Sequence, residues 1–362
     1  MSLKVRSVIW TFLFFGLITC HDLSARYTLE HSTLEVPEYR LIDLGPTQLS
    51  PRVLSRQCWP LTLSPRINNR GQVVGNRGSC GFFWDACRGF FHYAKKGETT
   101  YFVDIINDGT LMGCVVDACG FTKWFVWSES QTYFNSDVEP TYIAFPGLFD
   151  GDIFLRSMND SRHIIGARRL EGNRYRSMYC NHDGKVKDMK SGVLLGVNGY
   201  GNMVGTQTNI RGEQPFVWNC RAGLCVINED ESSGKPAGVK KFGFPVIADD
   251  NTVFGSYTSQ KHGRDYVHGY HWNSDEGVFG TIDLNKMKIS AVNRLHILVG
   301  SQDNHAVISV NHNKPVDLAD HVKGPHSRWH LIEATDVNDL GQIVGYGKYR
   351  GKIHLFLLDP IR

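Results

Sequence analysis

Beyond residue 39 the chain alternates short apolar runs with breaks rich in Asn, Asp and Gly, and a helical 3.6-residue hydrophobic period longer than ten residues occurs only at the extreme N-terminus. This patterning predicts short β-strands joined by tight turns. One phrase returns seven times, most clearly as Ile67-Asn68-Asn69-Arg70-Gly71-Gln72-Val73-Val74-Gly75 and Val337-Asn338-Asp339-Leu340-Gly341-Gln342-Ile343-Val344-Gly345. The other copies are Ile106 to Gly113, which reads as one residue shorter, Met158 to Gly166, Val197 to Gly205, Ile247 to Gly255 and Val292 to Gly300. In each, an apolar residue ends one strand, Asn and Gly make the turn, and two apolar residues with a further Gly enter the next strand. Asn and Gly suit such turns because they tolerate the left-handed backbone. Where the turn Gly is replaced, by Ser161, Asn251 or His296, Asn251 fits readily, whereas Ser161 and His296 imply another turn type or mild strain. Asn68, Asn107, Asn159, Asn198, Asn293 and Asn338 read as turn-formers.

Two further phrases complete the unit. Aromatic or aliphatic runs follow the turns, as in Gly81 to Trp84, Trp124 to Trp127, Pro215 to Trp218, Gly269 to Trp272, His305 to Ile308 and His354 to Leu358. Such runs favour strands. An Asp-bearing phrase then closes the unit, in Phe102 to Ile105, Val186 to Met189, Thr281 to Leu284 and Val316 to Leu318. Each repeat therefore supplies about four short antiparallel strands, with a period of roughly 40 to 50 residues. A copy of the Asp-bearing phrase, Leu41-Ile42-Asp43-Leu44-Gly45, stands ahead of the first full repeat, and the seventh repeat lacks one. Pairing this N-terminal strand with the last repeat closes a ring and leaves only short, protected edges. The expectation is an all-β fold: a seven-bladed β-propeller over residues 39–360, forming a single domain. The alternative, an open β-repeat array, would need distinct polar caps at both ends.

The turn phrase, the aromatic strand and the Ile-Asp-Leu-Gly ending together resemble the HAF family of extracellular bacterial repeat proteins, named for a His-Ala-Phe element. The nearest matches are Asp336 to Gly345 followed by Lys352-Ile353-His354-Leu355-Phe356-Leu357-Leu358, and His305-Ala306-Val307. The resemblance spans about residues 39 to 360 and implies a repeat fold in a secreted bacterial setting. It carries over no catalytic residue, and the second, fifth and sixth repeats depart from its pattern.

The N-terminus reads as an export signal. Lys4 and Arg6 precede the apolar segment Val8 to Thr19, which is too short for an easy membrane span and is flanked as a signal peptide over residues 1–25. Cleavage would fall after Ala25 or near Cys20, where Leu17-Ile18-Thr19-Cys20 approximates a lipoprotein box with Thr19 in place of a smaller residue. An uncleaved anchor is the alternative, so any membrane attachment is expected at this end. With Cys20 set aside, eight cysteines remain, and the pairs Cys80/Cys87, Cys114/Cys119 and Cys220/Cys225 are spaced to bracket hairpins, leaving Cys58 and Cys180. Local disulfides or free buried thiols are expected rather than zinc, because there is no C-x-x-C pair and no adjoining histidine cluster. The expected location is secreted, periplasmic or at the cell surface.

Charge narrows the partners. A net charge of +3 without a long basic block gives no footprint for nucleic acid. Arg168, Arg169, Arg174 and Arg176 read as a solvated hairpin loop. No H-E-x-x-H, G-x-S-x-G, phosphate-loop or dinucleotide fingerprint is present, so no catalytic residue, cofactor or metal site is assigned. On an alternating strand His268 and His271 point to opposite faces and do not share a metal. His305, His271 and His354 read as packed or edge-facing. Asp43, Asp104, Asp188, Asp283 and Asp317 recur at matching places and read as side chains bonding a nearby amide at a strand end. The longer connections, Ser128 to Arg156 with Tyr133, Phe134, Tyr142, Phe145 and Phe149, and the acidic Asn228 to Phe242, offer more room for recognition. The expected function is a secreted or surface binding module, monomeric, for a protein or glycan ligand. A carbohydrate-active hydrolase or lyase on the same scaffold is the alternative, and a structural surface protein a third reading.

Overall fold

The computed structural model describes residues 35–55, 63–94, 97–128, 139–145, 152–180, 186–209, 212–219, 223–227, 239–273 and 279–361. The expected signal peptide with Cys20, together with Cys58, Tyr133, Phe134, Phe149 and Cys220, lies outside these residues. Seven sheets succeed one another along the described residues, antiparallel except where Tyr39 and Arg40 of the closing strand pair parallel with Val322–Lys323. Blade 1 contains Arg66–Ile67, Val73–Arg77, Cys80–Asp85 and Gly89–Tyr93, and blade 2 contains Thr99–Ile105, Leu111–Val116, Thr122–Trp127 and Thr141–Tyr142. Blade 3 is Ile153–Met158, Ile164–Leu170, Arg174–Cys180 and Val186–Ser191; blade 4 is Val193–Val197, Met203–Asn209, Gly212–Asn219 and Gly223–Val226. In blade 5, Val246–Ile247 and Val239–Phe242 both pair with Thr252–Lys261, followed by Arg264–Asn273 and Phe279–Ile282. Blade 6 is Lys288–Val292, Leu298–Gln302, His305–Ser309 and Val316–Asp317. Blade 7 takes Trp329–Val337, Ile343–Tyr349 and Lys352–Pro360 from the C-terminal end and Tyr39–Pro46 from the other. The fold is the expected seven-bladed β-propeller.

The closing strand pairs antiparallel with Lys352–Pro360, matching Leu41 to Leu358, Ile42 to Leu357 and Asp43 to Phe356. Its Tyr39 and Leu44 are fully buried. Leu44 enters an apolar cluster with Leu54, Ile67, Val73, Phe82, Val344 and Leu355, which joins blade 7 to blade 1. Most apolar clusters are shared by neighbouring blades in this way, because a four-stranded sheet buries its face only against the next sheet. Arg77 of blade 1 adds a latch, donating to the Leu44 carbonyl.

Several local expectations are corrected. Phe102 to Ile105 is the innermost strand of blade 2, not a closing strand, so Asp104 belongs to a different set from Asp43, Asp283 and Asp317. The second turn is not shorter: Ile106 N–H bonds Thr110 O as Asn68 N–H bonds Gln72 O, so Ile106 replaces the turn Asn and Asn107 matches Asn69. The left-handed position in the third turn is Arg162 (φ 59°), not Ser161, and its amide bonds Asn159 O as Gly71 bonds Asn68. His296 (φ 56°) keeps the same bond, so the turn type is retained and the backbone strain is accepted. Val239–Phe242, assigned by sequence to a loop, is a strand extending the inner part of blade 5.

The expected local disulfides are absent among the described cysteines: Cys80, Cys87, Cys114, Cys119 and Cys225 are free. Cys80 opens the strand Cys80–Asp85 and Cys87 lies beyond its far end. An extended strand holds such residues apart by about 3.3 Å per step. Cys114 sits within a strand and is buried, which pushes its thiol up to about 12. Native-state alkylation at pH 8 is therefore expected to modify exposed Cys87, Cys119 and Cys225 and to leave Cys114 unmodified until unfolding, as read by peptide mass mapping.

Candidate functional site

A repeated bulge positions the site. In blades 2, 3, 4, 6 and 7 the inner strand slips against its neighbour between Phe102 and Asp104, Leu155 and Ser157, Leu194 and Gly196, Ile289 and Ala291, and Ala334 and Asp336. The slip presses an inner-strand carbonyl onto the second strand. A Cβ at Gly166 would lie 2.1 Å from Phe154 O, and one at Gly300 1.9 Å from Lys288 O, which accounts for the Gly that ends the phrase in these five blades; at Gly75 and Gly255 a Cβ would instead meet the rings of Phe82 and Tyr270. Bulges re-aim the side chains that follow them. Here Asp104, Ser157 and Asp336 are turned into a cavity of about 210 Å³ lined from all seven inner strands.

The cavity wall carries a buried charge network. Arg66 Nε donates to Asp104 Oδ1 at 2.9 Å, and its Nη1 lies 3.6 Å from Asp336 Oδ1. Asp104 Oδ2 also accepts from Ser157 Oγ at 2.9 Å and from the Met158 amide at 2.8 Å, while the Ile67 amide donates to Asp336 Oδ2 at 3.1 Å. Burial works against the Arg66 charge, but Asp104 and Asp336 outweigh it and raise its pKa. The network joins blades 7, 1, 2 and 3 across the point where the ring closes.

Two rings of hydrogen bonds surround the cavity. In the first, the turn Asn accepts its own turn's amides through Oδ1 and donates through Nδ2 to the next blade. Asn68 reaches Ile106 O, Asn159 reaches Asn198 O, Asn198 reaches Ala248 O, Asn293 reaches Asn338 O, and Asn338 reaches Asn68 O. Asp could not replace Asn, because only the amide both donates and accepts. In the second ring, a backbone amide donates to the next blade's side chain: Asn69 to Asn107, Asn107 to Asp160, Gly199 to Asp249, Arg294 to Asp339, and Asp339 to Asn69. Gly199 and Arg294 interrupt it, since neither side chain can accept.

The other predicted residues fall elsewhere. Asp43, Asp283 and Asp317 each accept the amide two residues on, as expected, from Gly45, Asn285 and Ala319. Asp43 and Asp317 also hold His354 and His305 at 2.9 and 2.7 Å. His268 stacks on Tyr257 and bonds Ser259, apart from His271, which packs on His312. Of the aromatic loop, Tyr142 is exposed and Phe145 buried. Arg169 pairs with Asp152 on the blade 3 hairpin. Sequence reading overlooked Arg66, Ser157 and Asp336. The available signal was the position two before each turn Asn, where Arg66, Ser157, Gly196, Ala291 and Asp336 break the repeat.

A titratable seam joins blades 5 and 6. His296 and His312 stack with ring centroids 5.6 Å apart, His271 lies 5.4 Å from His312, Phe254 packs on both His296 and His312, and His296 Nε2 is 2.8 Å from Asp250 Oδ2. Burial, then the charge of His296, lowers the pKa of both His271 and His312, with His271 a further cause for His312. Burial would raise Asp250, but the bonds from His296 and Thr252 outweigh it and hold it at about 2. Neutral His271 and His312 thus stabilise the fold above about pH 6.5, and acidification below that removes the contribution, since the unfolded chain protonates first. Thermal scans are expected to show Tm falling below about pH 6.5, with a shallower fall in His312→Gln. Among the described residues no three His, Cys, Asp or Glu side chains form a metal-ligating group.

No protein-family model and no curated protein match the chain. Among solved structures it is similar to a catalytically inactive virginiamycin B lyase from Staphylococcus aureus with quinupristin (TM-score 0.52, 9% identity, covering 90% of this chain and 100% of that one). It is also similar to the polysaccharide lyase Uly1 (0.52, 8%, 90% and 100%) and to a chain of the mitotic checkpoint complex (0.51, 14%, 90% and 96%). At these identities the likeness is one of fold alone.

Proposed function

We propose that this protein is a secreted or cell-surface binding module of HAF-repeat type whose axial cavity receives a positively charged group. The observation that carries this reading is the cavity wall, where Asp104, Asp160, Asp249, Asp336 and Asp339 stand against only Arg66 and Arg294. Arg66 is engaged by two carboxylates, so the mouth, with Asp160, Asp249 and Asp339 against Arg294, is left net negative. A cleft lined by one sign of charge concentrates ligands of the other. The wall carboxylate Asp104 is committed to Arg66, Ser157 and an amide, which favours binding over acid–base chemistry, where a carboxyl must be free to exchange a proton. Export rests on the Val8 to Thr19 segment and is tested by N-terminal mass analysis of the mature chain.

The test is a screen of glycan and peptide arrays with the intact protein and with Gly199→Trp, which plugs the mouth. Gly199 is exposed there, and a Cβ would meet only the Asp249 carboxylate, at 3.2 Å. Salt-sensitive retention of cationic ligands, lost in the plugged variant with Tm unchanged, is the expected result. Retention that ignores the plug, or cleavage of a glycan abolished by changing one carboxylate, would overturn it.

A further inference from the structure

The third position of each turn stands just outside the residues that line the mouth, and it is Arg70, Asp108, Ser161, Tyr200, Asp250, Leu295 and Leu340 in blades 1 to 7. Asp108 and Asp250 accept the amide two residues on, from Thr110 and Thr252, in the two blades where Ile106 and Ala248 replace the turn Asn; in the other five the turn Asn accepts that amide itself. Asn293 and Asn338 therefore leave this side chain free of any duty to the turn in blades 6 and 7, and the exposed side chains of Leu295 and Leu340 serve neither turn nor core. Nine large hydrophobic side chains are exposed among the described residues, and three of them, Tyr200 (73%), Leu295 (46%) and Leu340 (47%), occupy this one position. Three exposed apolar side chains at one rim position, beside an acidic mouth and parted only by Asp250 of blade 5, offer contacts to whatever enters that mouth. On the opposite arc the same position is polar: Arg70 donates to Asp108 O, and Asp108 pairs with Arg162.

We propose that this face docks a polypeptide, with a Lys or Arg side chain entering the acidic mouth and apolar neighbours of that residue packing on Tyr200, Leu295 and Leu340. The proposal rests on the cation-binding reading of the cavity and adds the class of ligand. Two aliphatic studs favour a protein over a sugar, which would call for flat aromatic surfaces and further hydrogen-bond donors. Charge complementarity supplies the cation, and the spacing of the studs over blades 4, 6 and 7 confines the apolar contacts to one side of it.

The full chain is to be tested against an immobilised heptapeptide library with a fixed central Lys, beside Gly199→Trp and the triple variant Tyr200→Ser/Leu295→Ser/Leu340→Ser. All three changed side chains are exposed, so Tm should hold. Retained peptides are expected to carry Leu, Ile, Phe or Met within a few residues of the Lys, and the triple variant to bind them about tenfold or more weakly. If the triple variant binds equally while Gly199→Trp does not, or if Gly- and Ser-flanked peptides bind as well, the docking proposal falls and the cavity reading stands. If neither variant changes binding, both fall. No retained peptide, or retention of a glycan instead, overturns the polypeptide assignment.

Discussion

Replacing Asp104 with alanine is expected to lower the stability of the propeller by about 3–5 kcal/mol, because it strips a buried arginine of its nearest charge. Arg66 and Asp104 are only 8% and 3% exposed, so water replaces the lost bonds poorly. Asp336 remains, but at 3.6 Å, and the Ser157 hydroxyl and Met158 amide lose their acceptor as well. Asp283→Ala is the matched control: among the described residues that carboxylate bonds the Asn285 amide near the surface, and its loss should cost about 1 kcal/mol or less. Urea unfolding midpoints of the two variants compare the effects directly. Equal midpoints would mean that the axial network contributes nothing to closure. Pairing Arg66→Met with Asp104→Leu should recover much of the loss, since apolar packing can replace a buried ion pair.

A chain beginning at Thr47 is expected to lose cooperative folding altogether. It lacks Tyr39 and Leu44, both fully buried, and losing large buried side chains of this kind costs about 2–5 kcal/mol each against a total stability of roughly 5–15 kcal/mol. It also bares the edge of Lys352–Pro360, an invitation to pair with other chains. Size-exclusion chromatography should find oligomers or aggregate, and near-ultraviolet circular dichroism should flatten. A peptide of residues 36–48 added during refolding should restore the elution volume of the parent chain by supplying the missing strand. A shortened chain that stays monomeric and melts like the parent would reject ring closure by this strand.

The repeat was legible because its physics is local. Asn at a turn, Gly under an inner-strand carbonyl and alternating apolar residues are each demanded within a few residues of sequence, and they recur because the blade recurs. The displaced Leu41 to Gly45 phrase was legible for the same reason, and it carried the closure. Where local signals misled, tertiary packing had changed the role of a residue. Phe102 to Ile105 looks like a closing strand because its Asp sits between apolar residues, yet it occupies the axis. Ile106 hides a standard turn because the neighbouring Asn107 imitates the missing one. The cysteine spacings suggested hairpin disulfides, but intervening strands keep Cys80 and Cys87 apart.

By itself the sequence determined the strand content, the number of blades and the strand that seals them, because each depends on hydrogen-bond and packing needs within a single repeat. Only the tertiary structure decided the site. Arg66, Asp104, Ser157 and Asp336 lie in four different blades, and Tyr200, Leu295 and Leu340 in three. The repeat gives them equivalent positions along the chain without showing that those positions meet; the sevenfold arrangement brings them to one axis, and the inner-strand bulges aim Asp104, Ser157 and Asp336 into it.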